Sequence, residues 1–228
     1  MDRHIVALGG SSPGGHPPID DFVLGLTGRE RPRVCYLGTA TGDTADRLVR
    51  FYAAYARRTE ASHLELFGVP RLGMREHLLE QDLIWVGGGN TASMLGVWRA
   101  HGVDEALRDA WERGVVLAGA SAGAVCWFEA AVTDSFGPEL APIACLGLLP
   151  GSACPHYDSE ERRRPTFRRL VAAGELPPGL AVDDGAGLHF VGTELHEVVA
   201  AVPGARGYRV ERTADGADET PLPARELA

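Results

Sequence analysis

Five residues, Gly119-Ala120-Ser121-Ala122-Gly123, set one hydroxyl among small neighbours. A short apolar run, Val115 to Ala118, precedes them, and a helix-like run through Ala124, Val125 and Trp127 follows. Strand, tight turn with one polar residue at its tip, then helix is the layout of a nucleophile elbow. The glycines allow the sharp bend and close approach of strand and helix. Ser121 would project beside a helix N-terminus, whose dipole favours an anion. The chemistry suggested is attack on a carbonyl. The same five residues also read as a helix-capping serine after a glycine-rich turn, so the rest of the chain has to separate the two.

A serine nucleophile needs a base, and the base needs an orienting acid. The chain has eight histidines. His4, His16, His63, His77, His101, His189 and His196 lie near the N-terminus or in and beside strands and helices, and each reads as a surface or half-buried side chain. His156 differs: it follows Pro155 in a stretch of small residues and precedes the polar Tyr157, Asp158 and Ser159, a loop context of the kind that carries catalytic groups. Candidate acids are Asp134, Asp158, Asp183 and Asp184, the last two at a turn where Asp is common for structural reasons. Cys154 lies near His156 and is weighed as a reactive thiol. Cys35, Cys126, Cys145 and Cys154 contain no Cys-x-x-Cys pair, which excludes zinc ribbons and thioredoxin-type motifs. Lysine is absent, which removes Ser-Lys and Schiff-base chemistry. The run Arg162-Arg163-Arg164, with Arg168 and Arg169, reads as a solvated helix face or as a carboxylate binder.

These groups need a scaffold. Strand-like runs at His4, Arg33, His63, Leu83 and Val115 alternate with helical segments, and each strand ends in small residues. That pattern predicts an α/β fold with a mostly parallel sheet covered by helices on both faces. Ligands bind at the carboxyl ends of such strands, so the turn Gly87-Gly88-Gly89-Asn90 and Ser121 would share one edge. The stretch Leu180 to Gly192 reads as a late β-hairpin hinged at Asp184-Gly185. Residues 1–212 are expected to form one domain, and residues 213–228, acidic and proline-bearing, a frayed tail.

At 228 residues, with a formal net charge of −9, the chain can bury a full core and is a poor general nucleic-acid binder. No apolar run reaches the roughly 18 residues of a membrane helix. The N-terminal residues lack the pattern of a secretory signal, which predicts a cytoplasmic location.

Val86-Gly-Gly-Gly-Asn-Thr, Ala118-Gly-Ala-Ser-Ala-Gly-Ala, Pro155-His-Tyr, the arginine-bearing segment and Asp183-Asp-Gly-Ala together resemble the peptidase E (aspartyl dipeptidase) family, serine peptidases related to the cyanophycinases. The resemblance runs from the first strand to about Val210. It implies a class I glutamine-amidotransferase-like, flavodoxin-like three-layer fold. It also implies Ser121 as nucleophile, His156 as base and Asp184 as acid, with Asp183 as the near alternative; the family often has Glu at that position. Further implied are an oxyanion hole from the N–H groups of Gly88 and Ala122, and substrate contacts from Asn90 and Arg163, the latter with Arg162 and Arg164 as register alternatives. The activity implied is hydrolysis of short peptides, with N-terminal Asp preferred, without metal or organic cofactor; monomer and homodimer both stay open. Three other readings remain. One is a cyanophycinase-like hydrolase of β-Asp-Arg peptides, and another a non-catalytic binding protein on the same fold. The third is an α/β-hydrolase order, with His189 or His196 as base and Asp134 or Asp158 as acid.

Overall fold

Side chains along a strand alternate between the two faces of its sheet, and in the larger sheet that alternation builds a core on each face. In the computed structural model, which describes residues 2–69 and 72–228, β1 (His4–Leu8) sends Ile5 and Ala7 to one face and Val6 and Leu8 to the other. The chain continues through α1 (Pro17–Gly25), β2 (Arg33–Leu37), α2 (Ala45–Tyr55), β3 (Glu60–Leu64), α3 (Met74–Leu79), β4 (Leu83–Val86), α4 (Thr91–His101), α5 (Val103–Glu112) and β5 (Val116–Ala120). Ile19 and Val23 of α1 and Phe51 and Tyr55 of α2 cover the face that bears Val6, Leu8, Tyr36 and Trp85. Leu95 and Trp98 of α4 and Leu107 and Trp111 of α5 cover the opposite face.

Beyond β5 come α6 (Ala122–Val125), β6 (Phe128–Thr133), β7 (Ala141–Ala144), β8 (Leu149–Cys154), α7 (Arg163–Ala173), β9 (Gly179–Val182) and β10 (Ala186–Val191). β11 (Glu194–Ala200), β12 (Gly207–Thr213), β13 (Gly216–Leu222) and β14 (Ala224–Glu226) complete the chain. Among the described residues these form an eight-stranded sheet, β14-β11-β10-β1-β5-β4-β2-β3, and a six-stranded sheet, β13-β12-β9-β8-β6-β7. β1, β5, β4, β2 and β3 run parallel, and β10 is antiparallel to β1. The fold is the α/β three-layer type expected, with glycine-rich turns of β1, β4 and β5 meeting at one sheet edge. No helix among the described residues is long and apolar enough to cross a membrane.

Three local expectations are corrected. The helix after Ser121 is one turn, and Phe128 to Thr133 is a strand of the second sheet; aromatic and β-branched residues there favour strand once a neighbouring strand is available. A late hairpin exists, but it joins β10 to β11. β9 pairs with β8 and β12, so Asp183 to Gly185 carries the chain from one sheet to the other instead of turning it back. The tail is ordered: β13 pairs with β12 over seven residues and β14 pairs with β11. One acidic side chain adds to this pairing: Glu219 accepts from the Tyr157 hydroxyl at 2.6 Å and pairs with Arg164.

Candidate active site

β5 ends at Ala120, and Ser121 takes φ 56° and ψ −116°, a left-handed backbone that a non-glycine residue adopts only where its surroundings impose it. The surroundings are the two glycines. A Cβ on Gly119 would lie 2.4 Å from the Gly123 carbonyl oxygen, and one on Gly123 would lie 2.2 Å from that of Val86. Strand and helix therefore touch backbone to backbone. The Ser121 N–H donates to the Leu8 carbonyl at 3.1 Å, tying the elbow to β1.

His156 and Asp184 reach this hydroxyl from the second sheet and the crossing segment. His156 follows β8 with φ 53°, and the Tyr157 N–H donates to Val182 O at 3.2 Å. The His156 Nε2 lies 2.9 Å from Ser121 Oγ, and its Nδ1 lies 2.7 Å from Asp184 Oδ1. With Nδ1–H donating to the carboxylate, Nε2 is the acceptor facing the serine O–H. The Asp184 N–H donates to Asp158 Oδ1 at 2.9 Å, and the Gly185 N–H donates to Gly10 O at 3.1 Å. A Cβ on Gly10 would stand 2.1 Å from Asp184 Oδ1 and 2.9 Å from His156 Nδ1, so only glycine leaves room for the pair. The hydrogen bond from His156, with help from the Ser159 hydroxyl, holds the Asp184 carboxyl below the usual range.

The alternatives considered for these roles lie elsewhere. Asp183 accepts from Arg206 N–H and the Tyr208 hydroxyl, and burial pushes its carboxyl up. The thiol of Cys154 is buried and pushed up by desolvation, which leaves it inert. His189 sits beside His4 and Glu197, so the α/β-hydrolase order brings no base to Ser121.

The cavity in front of Ser121 is lined by the Gly9–Pro13 turn residues from Gly10 onward, Gly87, Gly88 and Gly89, His156, and by Tyr36, Trp85, Arg47 and Arg50. Gly88 lies against the serine: a Cβ there would be 3.1 Å from Ser121 Cβ and 3.7 Å from Oγ. Ala122 opens α6, and the first N–H groups of a helix have no intrahelical acceptor. Gly88 and the start of α6 therefore flank Ser121 on two sides.

The match to known sequences decides the family. Residues 5–198 fit the model of peptidase family S51. The chain belongs to that family. It is 44% identical over 229 residues to an uncharacterized peptidase, YgaJ, of Bacillus subtilis, covering 99% of each chain. It is 28% identical over 133 residues to Peptidase E of Shewanella denitrificans, covering 54% of this chain and 57% of that one. Its fold is shared by a peptidase from an acI-B1 actinobacterium, with TM-score 0.75 and 17% identity over 100% of this chain and 97% of that one. A candidate Peptidase E protein of Listeria monocytogenes shares it too, with TM-score 0.67 and 18% identity over 89% and 100%. The S51 chain described here is thus a serine-type peptidase.

Two residues expected to contact substrate in this S51 peptidase are placed in structural roles. Asn90 caps α4, accepting from the Ser93 N–H at 2.8 Å and donating to Ser135 O at 3.1 Å. Arg163 is buried: its Nε donates to Glu160 at 2.7 Å and its Nη1 to Val132 O at 3.2 Å. Neither lines the Ser121 cavity. The cavity's cations come instead from α2, where Arg47 and Arg50 sit three residues apart on one face. Sequence reading passed over them because they look like ordinary surface residues of an amphipathic helix. The cue was their position on the helix that follows β2, whose end also opens at the active edge.

Proposed function

We propose that this S51 peptidase hydrolyses short peptides, dipeptides with N-terminal Asp in particular, through Ser121, His156 and Asp184. The observation that carries the reading is the continuous hydrogen-bonded chain from Ser121 Oγ through both nitrogens of His156 to Asp184, open to a cavity. Ser121 Oγ attacks the scissile carbonyl while His156 Nε2 takes its proton. The new C–O bond and the oxyanion form together, with the Gly88 and Ala122 N–H groups facing the negative oxygen. The C–N bond breaks as His156 returns the proton to the leaving amine. Water, deprotonated by the same imidazole, then hydrolyses the ester. Asp184 fixes the tautomer and offsets the imidazolium charge. No step calls for a metal or cofactor.

Arg47 and Arg50 supply the positive wall that an aspartyl side chain or a peptide carboxylate would meet, and Tyr36, kept protonated by burial, can donate beside them. Two arginines at the mouth disfavour the arginine-bearing β-Asp-Arg substrates of a cyanophycinase-like enzyme. We place the reaction in the cytoplasm, where the thiols of Cys126, Cys145 and Cys154 stay reduced.

The test is turnover of Asp-Leu, Ala-Leu and β-Asp-Arg, each with and without a chelator. The reading expects Asp-Leu to be cleaved fastest, chelator to have no effect, and Ser121→Ala to abolish turnover. Undiminished hydrolysis by Ser121→Ala would end it, and faster β-Asp-Arg cleavage would move the substrate assignment.

A further inference from the structure

A second histidine cluster lies on the face of the large sheet that α1 covers. His189 of β10 is 3% exposed. Its Nε2 is 3.1 Å from His4 Nδ1, its Nδ1 is 3.4 Å from Glu197 Oε1, and its ring packs against that of His196. We infer that His189, His196 and Glu197 form a binding site for a divalent transition-metal ion of zinc type, separate from the Ser121 cavity. One ligand atom from each lies within 4.8 Å of the others.

The backbone supports convergence. In a regular strand His196 and Glu197 would point to opposite faces. Here β10 and β11 pair His189 with Glu197 and then Phe190 with Leu195, so His196 is the extra residue of a β-bulge. The bulge re-aims its imidazole toward the Glu197 side. The 3.4 Å gap between His189 and Glu197 is longer than the roughly 2.7–2.9 Å of a charge-assisted N–H···O bond. It matches the edge of about 3.3 Å expected between two ligands that each stand about 2.0–2.1 Å from a tetrahedral zinc. His196, exposed on its bulge, has the freedom to close the remaining distance.

The outer partners are those a metal site uses. His4 meets the far nitrogen of His189, fixing which nitrogen is left for the ion. Arg225 grips the Glu197 carboxylate at 2.8 and 3.1 Å and orients it. Phe22 stands edge-on to His189 and walls the cluster. Two imidazoles and one carboxylate suit zinc, with water as fourth ligand. The Arg225 charge lowers the affinity relative to an unpaired carboxylate, so binding in the micromolar range is expected.

The experiment is calorimetric titration of the metal-stripped, untagged full chain with Zn²⁺, with Co²⁺ absorption as a second readout. One ion per chain is expected, and His196→Ala and Glu197→Gln should each weaken Zn²⁺ binding at least about tenfold. His196 is exposed, so its variant tests the ligand without emptying the core. No saturable Zn²⁺ binding by the wild type, or equal binding by wild type and both variants, overturns the site.

Discussion

His156 and His189 each stand between a carboxylate and a second partner, and of the two only His156 faces a hydroxyl. His156 sits 2.7 Å from Asp184 and 2.9 Å from Ser121, on a loop with left-handed backbone that glycines close around. His189 sits 3.4 Å from Glu197 and 3.1 Å from His4, in the middle of a strand. In sequence the two were rival bases. The difference lies in the supporting backbone: turns at the carboxyl ends of β5 and β8 can aim side chains into a shared cavity, whereas a strand interior aims them only at the strand beside it. His4 and Leu8 stand at opposite ends of β1, about 13 Å apart at a strand's rise, and Leu8 is the residue that holds the elbow. Under the readings proposed above, one arrangement moves a proton to and from an oxygen and the other holds the charge of a metal ion.

The sharpest way to break this contrast is to remove each imidazole. His156→Ala is expected to lower kcat for Asp-Leu by about 10⁴-fold or more, while His189→Gln leaves kcat/KM within about threefold; equal losses would erase the distinction. Removing each acid comes next. Asp184→Asn should cost about 10⁴-fold in kcat, as loss of the orienting carboxylate does in comparable sites, and Glu197→Gln should cost nothing measurable in Asp-Leu turnover.

The backbone half of the contrast is tested on glycines. Gly123→Ala forces a Cβ to within 2.2 Å of the Val86 carbonyl and is expected to destabilise the fold by about 3 kcal/mol or more in denaturant titration. Gly96→Ala, in α4 with nothing within 4 Å of its Cβ, is expected to stabilise by about 0.5–1 kcal/mol.

The smallest effect is on stability against pH, and its sign differs in origin between the clusters. Asp184 titrates below its ordinary value because His156 donates to it, so its contribution is complete above about pH 4 and is lost as pH falls through its folded value. Burial lowers the His189 pKa against the opposing pull of Glu197, with His4 and His196 also lowering it. The unfolded chain therefore takes up that proton first, and stability declines as pH falls below about 6.5. Thermal midpoints followed from about pH 7 to about pH 3 should show two windows, the upper one flattened by His189→Gln and the lower one by Asp184→Asn.

Part of this design is written in local spacing. Apolar runs ending in Gly87-Gly88-Gly89 and Gly119-Ala-Ser-Ala-Gly announce parallel strands with open ends, and His156 and Asp184 stand in loop and turn contexts that suit them. Other parts are not local. Nothing in the run Arg162-Arg163-Arg164 tells that Arg163 turns inward to Glu160 and Val132, or that Arg164 docks the C-terminal strands. Nothing around Asn90 separates a helix cap from a substrate contact. β7 and β8 of the six-stranded sheet are hidden because they are short and carry proline or glycine, and they become strands only beside their neighbours.

The sequence by itself determined the α/β order, the strained serine turn and the identity of the family, because steric limits on glycine, small residues and apolar alternation act within a few neighbouring residues. The resemblance already named His156 and Asp184, with Asp183 as the alternative; only the tertiary structure shows them together, with Arg47 and Arg50, at the Ser121 cavity. Those partners are 35 residues away for His156, and a further 28 for Asp184. Contacts over such separations depend on how whole sheets and helices pack, a property that no single stretch of the chain contains.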